Sequence, residues 1–338
     1  MLVVGCITRL THSGLSITKW SLFGSIPPLT QDDWEKMFEL YKSSPEYQKV
    51  NLNMDIETFK SIYFWEYLHR FIGRFIGLVF LGGFLYFSIR KKFQKKHYVR
   101  FGILFLVGLA QGLIGWWMVK SGLVDKPAVS HYRLATHLIS AFSLFSLTFW
   151  FYLDEINCHV TPINLNPEYR FTQIKIVFIS TFFLFLIQVI YGAFTAGYVE
   201  GDNAKIRPGN IFNTWPKMGE EWYPEYAINR TGKILKDYTE NPAGIQFIHR
   251  WLGFLVLAGI IVLSYQTKNF PKDNPVYKWI TRMLYAVVLQ ILLGIYTLID
   301  NVPIYMGVLH QSGALLLCLT MTATAFHLFR KNNYGKIA

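Results

Sequence analysis

Apolar residues in this chain run in long blocks, not in the alternation of a half-buried strand. Seven blocks, at 64–89, 99–119, 134–153, 171–197, 245–265, 279–299 and 304–329, each reach the roughly 20 residues a membrane helix needs. An eighth, "MLVVGCITRL" at the start, is too short to span. The polar stretches between the blocks differ in character. "RKKFQKKHYVR" follows the first long block, Lys268, Lys272 and Lys278 follow the fifth, and Arg330, Lys331 and Lys336 follow the last. By the positive-inside rule these basic stretches face the cytoplasm or matrix. Two long stretches, 11–63 and 198–244, then fall on the outer side, with mixed charge and Trp, Tyr and Pro clusters. The pattern predicts an all-α integral membrane protein with eight transmembrane helices.

Composition sharpens this. Of 338 residues, 52% are hydrophobic and 17% aromatic, too apolar for an ordinary soluble domain. Lys and Arg exceed Asp and Glu by 12, an excess that fits membrane orientation. No aromatic-interleaved basic patch accompanies it, so nucleic acid is excluded as a partner. Cys6 and Cys318 sit in apolar segments and Cys158 in an inward loop, so no disulfide framework is expected.

The chain repeats. "EYLHRFIGRFIG" at 66–77 pairs with "QFIHRWLGF" at 246–254, "QGLIG" at 111–115 with "QILLG" at 290–294. "LATHLIS" carries His137 and "GVLHQSG" carries His310; "VVGCIT" and "VIYGAFT" share a glycine. The order is the same in both halves, which predicts two tandem parallel four-helix bundles. Their ranges are 1–153 and 171–338, joined by an inner connection at 154–170. Roughly 20 apolar residues precede Gly192 but only four precede Gly5. The repeat therefore leads us to expect a first helix that lacks its inner half, with about 15 further apolar residues ahead of Met1 in the intact gene product.

Four histidines occupy matching places: His69 and His137 in the first half, His249 and His310 in the second. A lone membrane histidine usually bonds a neighbouring helix. Two per bundle, repeated at matched depth, point instead to haem iron held between facing helices. A bare zinc or copper ion would want three or four ligands. Gly73, Gly77, Gly108, Gly112 and Gly115 remove side chains from helix faces, for a flat haem, for close helix packing or for both at once. Arg70, Arg74 and Arg250 adjoin the histidines and would either neutralise haem propionates or reach lipid headgroups. His131 reads as an outer-edge polar residue without a repeat partner; His12, His97, His159 and His327 lie in loops or at helix ends.

Together with "GCITRLTHSGLSITKW", "SPEYQKVN", "GLIGWWMVKSGL", "SHYRLATHL" and "LHQSGA", these motifs closely resemble haem A synthase, most of all the mitochondrial and Gram-negative group. The resemblance covers nearly the whole chain. It implies an enzyme of the bacterial or mitochondrial inner membrane that oxidises a methyl group of haem O to a formyl group, giving haem A for cytochrome oxidase. It implies haem O between His69 and His137, haem B as cofactor on His249 and His310, and Glu66 as the functional acid. The haem sites would lie toward the outer side. Haem O, with O2 or water and an electron donor the sequence does not name, would be the reaction partners. Haem O synthase, cytochrome oxidase assembly factors and a second copy of the chain are the macromolecular partners it suggests. Two features depart from the family: Cys6 where Gly is expected, and no outer-loop cysteine pair.

One difference within the repeat bears on chemistry independently. Glu66 lies three residues before His69, on roughly the same helix face, and Gln246 holds that place before His249. A carboxylate exchanges protons at ordinary pH and an amide does not. This marks the first half as the active one, unless Glu66 is merely an acid near a helix start. The same four histidines would also suit a two-haem electron carrier, quinone-linked, or a haem transport protein.

Overall fold

The computed structural model describes residues 1–19, 26–124, 127–157, 171–200 and 206–330. Among them every extended element is helical, with two isolated β-bridges in the second outer loop. Seven helices are long and apolar enough to cross a membrane: α4 (Ile56–Ile89), α5 (Lys95–Lys120), α6 (His131–Ile156), α7 (Phe171–Gly197), α10 (Pro242–Gln266), α11 (Pro275–Ile299) and α12 (Ile304–Phe329). The chain is thus an all-α integral membrane protein. The first helix, α1 (Leu2–Leu10), has 9 residues, too few to span.

Local chemistry sets the helix starts. Asp55 accepts a hydrogen bond from the Thr58 amide at 2.8 Å and caps α4. Asn241 and Asn274 cap α10 and α11, each followed by a proline whose missing N–H would be unpaired anyway. At 34 residues α4 is about 50 Å long, well beyond a hydrocarbon core of about 30 Å. Its first turns therefore stand in a layer beyond the apolar block, eight residues ahead of it.

That layer is more ordered than a mixed-charge loop suggests. It holds α2 (Gln31–Lys42) and α3 (Pro45–Lys49). Thr30 and Asp33 form a reciprocal capping box at the start of α2. Phe38 and Tyr41 of α2 then bury themselves against Phe59 and Tyr63 of α4. Among its described residues the second outer loop carries a 3-10 turn at Pro208–Asn210 and the short helices α8 (Glu225–Ile228) and α9 (Ile234–Thr239).

Packing is uneven. In the second half α7 lies on α10, α10 on α11 and α11 on α12, and α6 joins α7 and α12. Their shared core includes Phe178, Phe185, Ile260, Leu263, Met283 and Met321. In the first half α5 packs on α6, and α4 meets α5 near the inner ends through Phe80, Phe84, Phe101 and Phe105. No residue of α5 is fully buried. The short α1 bridges the halves, touching α4 and α12.

The basic inner turn is tied down: Lys96 and Arg100 pair with Glu155 and Asp154 at the end of α6. Arg330 donates to the Asn157 carbonyl at 2.8 Å. Cys6 and Cys318 are free thiols on separate helices. Cys158, His159, Lys331 and Lys336 lie outside the described residues.

Candidate functional site

Each of the four repeated histidines stands on a long helix and rests on a glycine of the preceding one. A Cβ added at Gly5 would come 3.0 Å from the His69 ring, and one at Gly115 would come 3.1 Å from that of His137. At Gly192 the separation from His249 would be 3.3 Å, and at Gly294 it would be 2.9 Å from His310. In all four cases the glycine lets the ring lie close against helix backbone, and at Gly294 a Cβ would force the ring to shift. The Gly5–Gly192 and Gly115–Gly294 matches seen in the repeat acquire a shared role here.

His249 and His310 face each other with ring centroids 6.3 Å apart and planes at 86°. Two metal–imidazole bonds of about 2.0–2.1 Å plus the two ring radii fill that separation. His69 stands on α4 and His137 on α6, resting on Gly5 and Gly115. Among the described residues no three His, Cys, Asp or Glu side chains converge as a metal-ion site. Two ligands per half suit a metal that brings its own equatorial donors, as haem does. A Cβ at Gly77, Gly108 or Gly112 would meet nothing within 4 Å. These glycines border open space.

Polar atoms without partners cluster here. His137 Nδ1, His249 Nδ1, Arg250 Nε and the Oε1 atoms of Gln188, Gln246 and Gln290 are buried and unbonded. Arg250 Nε is a donor among them, and a carboxylate such as a haem propionate would satisfy it. The residues present therefore fit a haem.

Above each histidine pair, two residues of the helix grip the outer loop. In the first half Glu66 is 2% exposed. Its Oε2 accepts from Ser16 Oγ at 2.7 Å and from the Ile17 amide at 2.8 Å. Its Oε1 pairs with Arg70, which also donates to the Ile17 carbonyl at 3.2 Å. In the second half Gln246 Nε2 donates to the Pro208 carbonyl at 2.6 Å and to that of Ile211. Arg250 donates to the carbonyls of Lys217, at 3.2 Å, and Phe212. Arg74, one turn below Arg70, is half-buried and has no counterpart, since Phe254 holds its place in the second half.

The two outer loops also meet. Arg9 donates to the Ala196 carbonyl at 2.9 Å from its Nε, closing the end of α7. Arg207 Nη1 lies 2.7 Å from His12 Nε2. Burial and the charges of Arg207 and Arg9 push His12 down to about 3, so it is neutral at ordinary pH. Close by, Glu46 is buried and accepts from Tyr41 Oη at 3.1 Å. Burial raises its carboxyl to about 7. His131 is structural, with Nε2 3.0 Å from the Thr239 carbonyl and its ring edge-on to Phe194. His97 belongs to the inner turn, 3.3 Å from Glu155.

Sequence reasoning missed three of these residues. Gln188 donates to the His249 carbonyl at 2.9 Å, as Gln111 does to that of His137 at 3.0 Å. Its first-half counterpart would be Met1, so the repeat could not reveal it. Glu46 and Ser16 lie in the quoted motifs; Ser16 is buried by docking on Glu66 across 50 residues, which no local period encodes, and Glu46 by the packing of α3 on Tyr41 of α2.

The chain matches the model of the cytochrome oxidase assembly protein family COX15-CtaA over residues 1–322. It is 41% identical over 335 residues to the haem A synthase of Flavobacterium psychrophilum, covering 98% of this chain and 94% of that protein. The haem A synthase of Flavobacterium johnsoniae is 40% identical, with 97% and 93% covered. A plant relative, haem A synthase COX15 of Arabidopsis thaliana, is 38% identical, with 98% and 72% covered. No solved structure matches the chain. With kinship along nearly its whole length, the chain belongs to the COX15-CtaA family of cytochrome oxidase assembly proteins.

Proposed function

We propose that this chain oxidises a methyl group of haem O to a formyl group, giving haem A for cytochrome oxidase. The observation that carries the reading is the doubled site: two histidine pairs on one plan, with Glu66 in one half where Gln246 stands in the other. The long kinship with haem A synthases supports it.

In this reading eight transmembrane helices form two four-helix bundles, with both sites toward the outer side. His69 and His137 hold the substrate haem O; His249 and His310 hold haem B. When bound, haem B supplies one-electron redox chemistry. Arg250, with its unbonded Nε, suits a propionate, and so does Arg74 in the first half. Arg70 holds Glu66 in place. Taking a methyl to an aldehyde with water as oxygen source removes four electrons and four protons; the electrons pass to O2 as oxidant, and Glu66 takes protons at its carboxylate oxygens. Ser16 and the Ile17 amide steady that carboxylate between transfers. The α2–α3 layer over α4 limits water at this end of the site.

The test is anaerobic reconstitution of the purified protein with haem O, followed by O2 and reductant and mass analysis of the extracted haem. Haem A, or a hydroxylated precursor, is expected. Unchanged haem O with haem B still present would favour the electron carrier; release of intact haem O to an acceptor would favour transport.

A further inference from the structure

Three glutamines precede three of the histidine-bearing glycines by four residues: Gln111 before Gly115, Gln188 before Gly192, Gln290 before Gly294. Residues four apart share a helix face, one turn from each other. Each glycine leaves bare backbone for the ring, and the glutamine one turn away reaches the same histidine. Gln111 Nε2 is 3.0 Å from the His137 carbonyl and Gln188 Nε2 is 2.9 Å from that of His249. Ser140 also donates to the His137 carbonyl at 3.0 Å and bonds the Gln111 amide. Gln290 lies across the ring itself, its Nε2 3.2 Å from His310 Nδ1 and 3.4 Å from His310 Nε2.

We propose that Gln111, Gln188 and Gln290 are positioning residues that lock the histidines in the orientation needed to hold haem iron. A helical carbonyl already bonded within its helix has a second lone pair to offer. A side-chain amide bound there, together with a ring lying on glycine, makes two contacts one turn apart. Two contacts fix the rotation of the histidine's helix about its own axis, and hence the direction of its Cβ. Water does not compete inside the bilayer, so the tie persists. Gln290 acts on the ring: turning its amide so that Oε1 accepts from Nδ1–H fixes the tautomer and takes the amide N–H off Nε2, the atom that ligates. Its Oε1 is otherwise buried without a partner. His69 lacks this tie, because Met1 stands four residues before Gly5.

This inference rests on the haem reading above, and the experiment separates the two. The full-length protein is purified with its resident haem, and electron paramagnetic resonance, reduction potential and haem content are measured. His249→Ala should abolish the low-spin signal. Gln188→Leu and Gln290→Leu should shift that signal and its potential and weaken haem retention by about 10–100-fold, the usual cost of losing an outer-shell partner. Gln111→Leu should leave the resident signal unchanged and weaken haem O retention by a similar factor. If Gln188→Leu does not fold, Gly192→Ala keeps the amide and displaces the ring, and the same spectral shift is expected. A parental signal and potential in the Gln188 and Gln290 variants, with His249→Ala lost, overturns the positioning role alone. Lower yield with an unchanged signal in the surviving protein overturns it equally. A parental signal in His249→Ala overturns the haem reading and this inference with it.

Discussion

Glu66 and Gln246 occupy one position in a repeated plan and bond with opposite polarity. The first outer loop offers donors, Ser16 Oγ–H and Ile17 N–H, and the carboxylate accepts both. The second offers the carbonyls of Pro208 and Ile211, and the amide donates to both. The arginine one turn later, Arg70 or Arg250, completes each grip. An architectural need, an outer loop held over a histidine pair, is thus met twice by different chemistry. Only one version leaves a group that can exchange a proton. The carboxylate is not an ornament on an amide site, because the loop above it has been refitted to receive it.

Breaking this difference should have its largest effect at Glu66. Glu66→Gln keeps the shape and removes the proton-exchanging group, so haem A formation should fall about 10²–10⁴-fold while haem B stays bound. Haem O or a hydroxylated intermediate should accumulate, read by mass of extracted haem. Parental haem A output would make Glu66 a loop anchor only. The reciprocal change, Gln246→Glu, sets a buried carboxylate against two carbonyls. An unpaired buried charge costs about 3–5 kcal/mol, so the loop at 198–244 should become protease-sensitive and haem B retention should drop. Unaltered protection would show that Arg250 can reassign itself to the new acid.

The outer layers differ in a second acid. Asp237 in the second loop accepts from the Thr231 amide at 2.9 Å and its hydroxyl at 2.8 Å. Glu46 in the first accepts from Tyr41, and burial lifts it from 4.5 to about 7. A carboxyl raised on folding binds its proton more tightly in the folded state. Its neutral form is favoured at low pH, and stability is lost as pH rises from about 4.5 to about 7. Hydrogen exchange in α2 and α3 should therefore quicken across that window beyond the intrinsic rate, and Glu46→Gln should flatten the trend. The smallest effect is expected from Ser16→Ala. It removes one of the hydrogen bonds to Glu66 and should destabilise the outer layer by about 1.5–3 kcal/mol, read by denaturant titration. An equal loss in a Glu66→Gln background would show that the two side chains do not cooperate.

Much of this was legible in the sequence because lipid imposes a simple code. Apolar runs of spanning length fixed the seven long helices, with α7 and α12 bounded as expected. The repeat exposed the four histidines and the Glu66–Gln246 difference. Outside the bilayer the code weakens. The segment 11–63 reads as a loop by charge, yet Thr30 and Asp33 cap a helix, and Trp34, Phe38 and Tyr41 share one of its faces. Thr30 three residues ahead of Asp33 is a capping pattern that the mixed charge around it masks. Ser16 gave no local sign, since its burial is made by a contact with Glu66 fifty positions away.

The glycines beneath the histidines place folding and activity in conflict. Glycine to alanine within a helix ordinarily favours the helix by about 1 kcal/mol. At Gly294 the added methyl would stop 2.9 Å from the His310 ring, and at Gly5 it would stop 3.0 Å from that of His69. A missense allele there would yield an abundant, well-inserted and more helical protein that cannot seat its ligand. Screens scoring expression or thermal stability would pass such alleles as benign, and only a pigment assay would detect the loss.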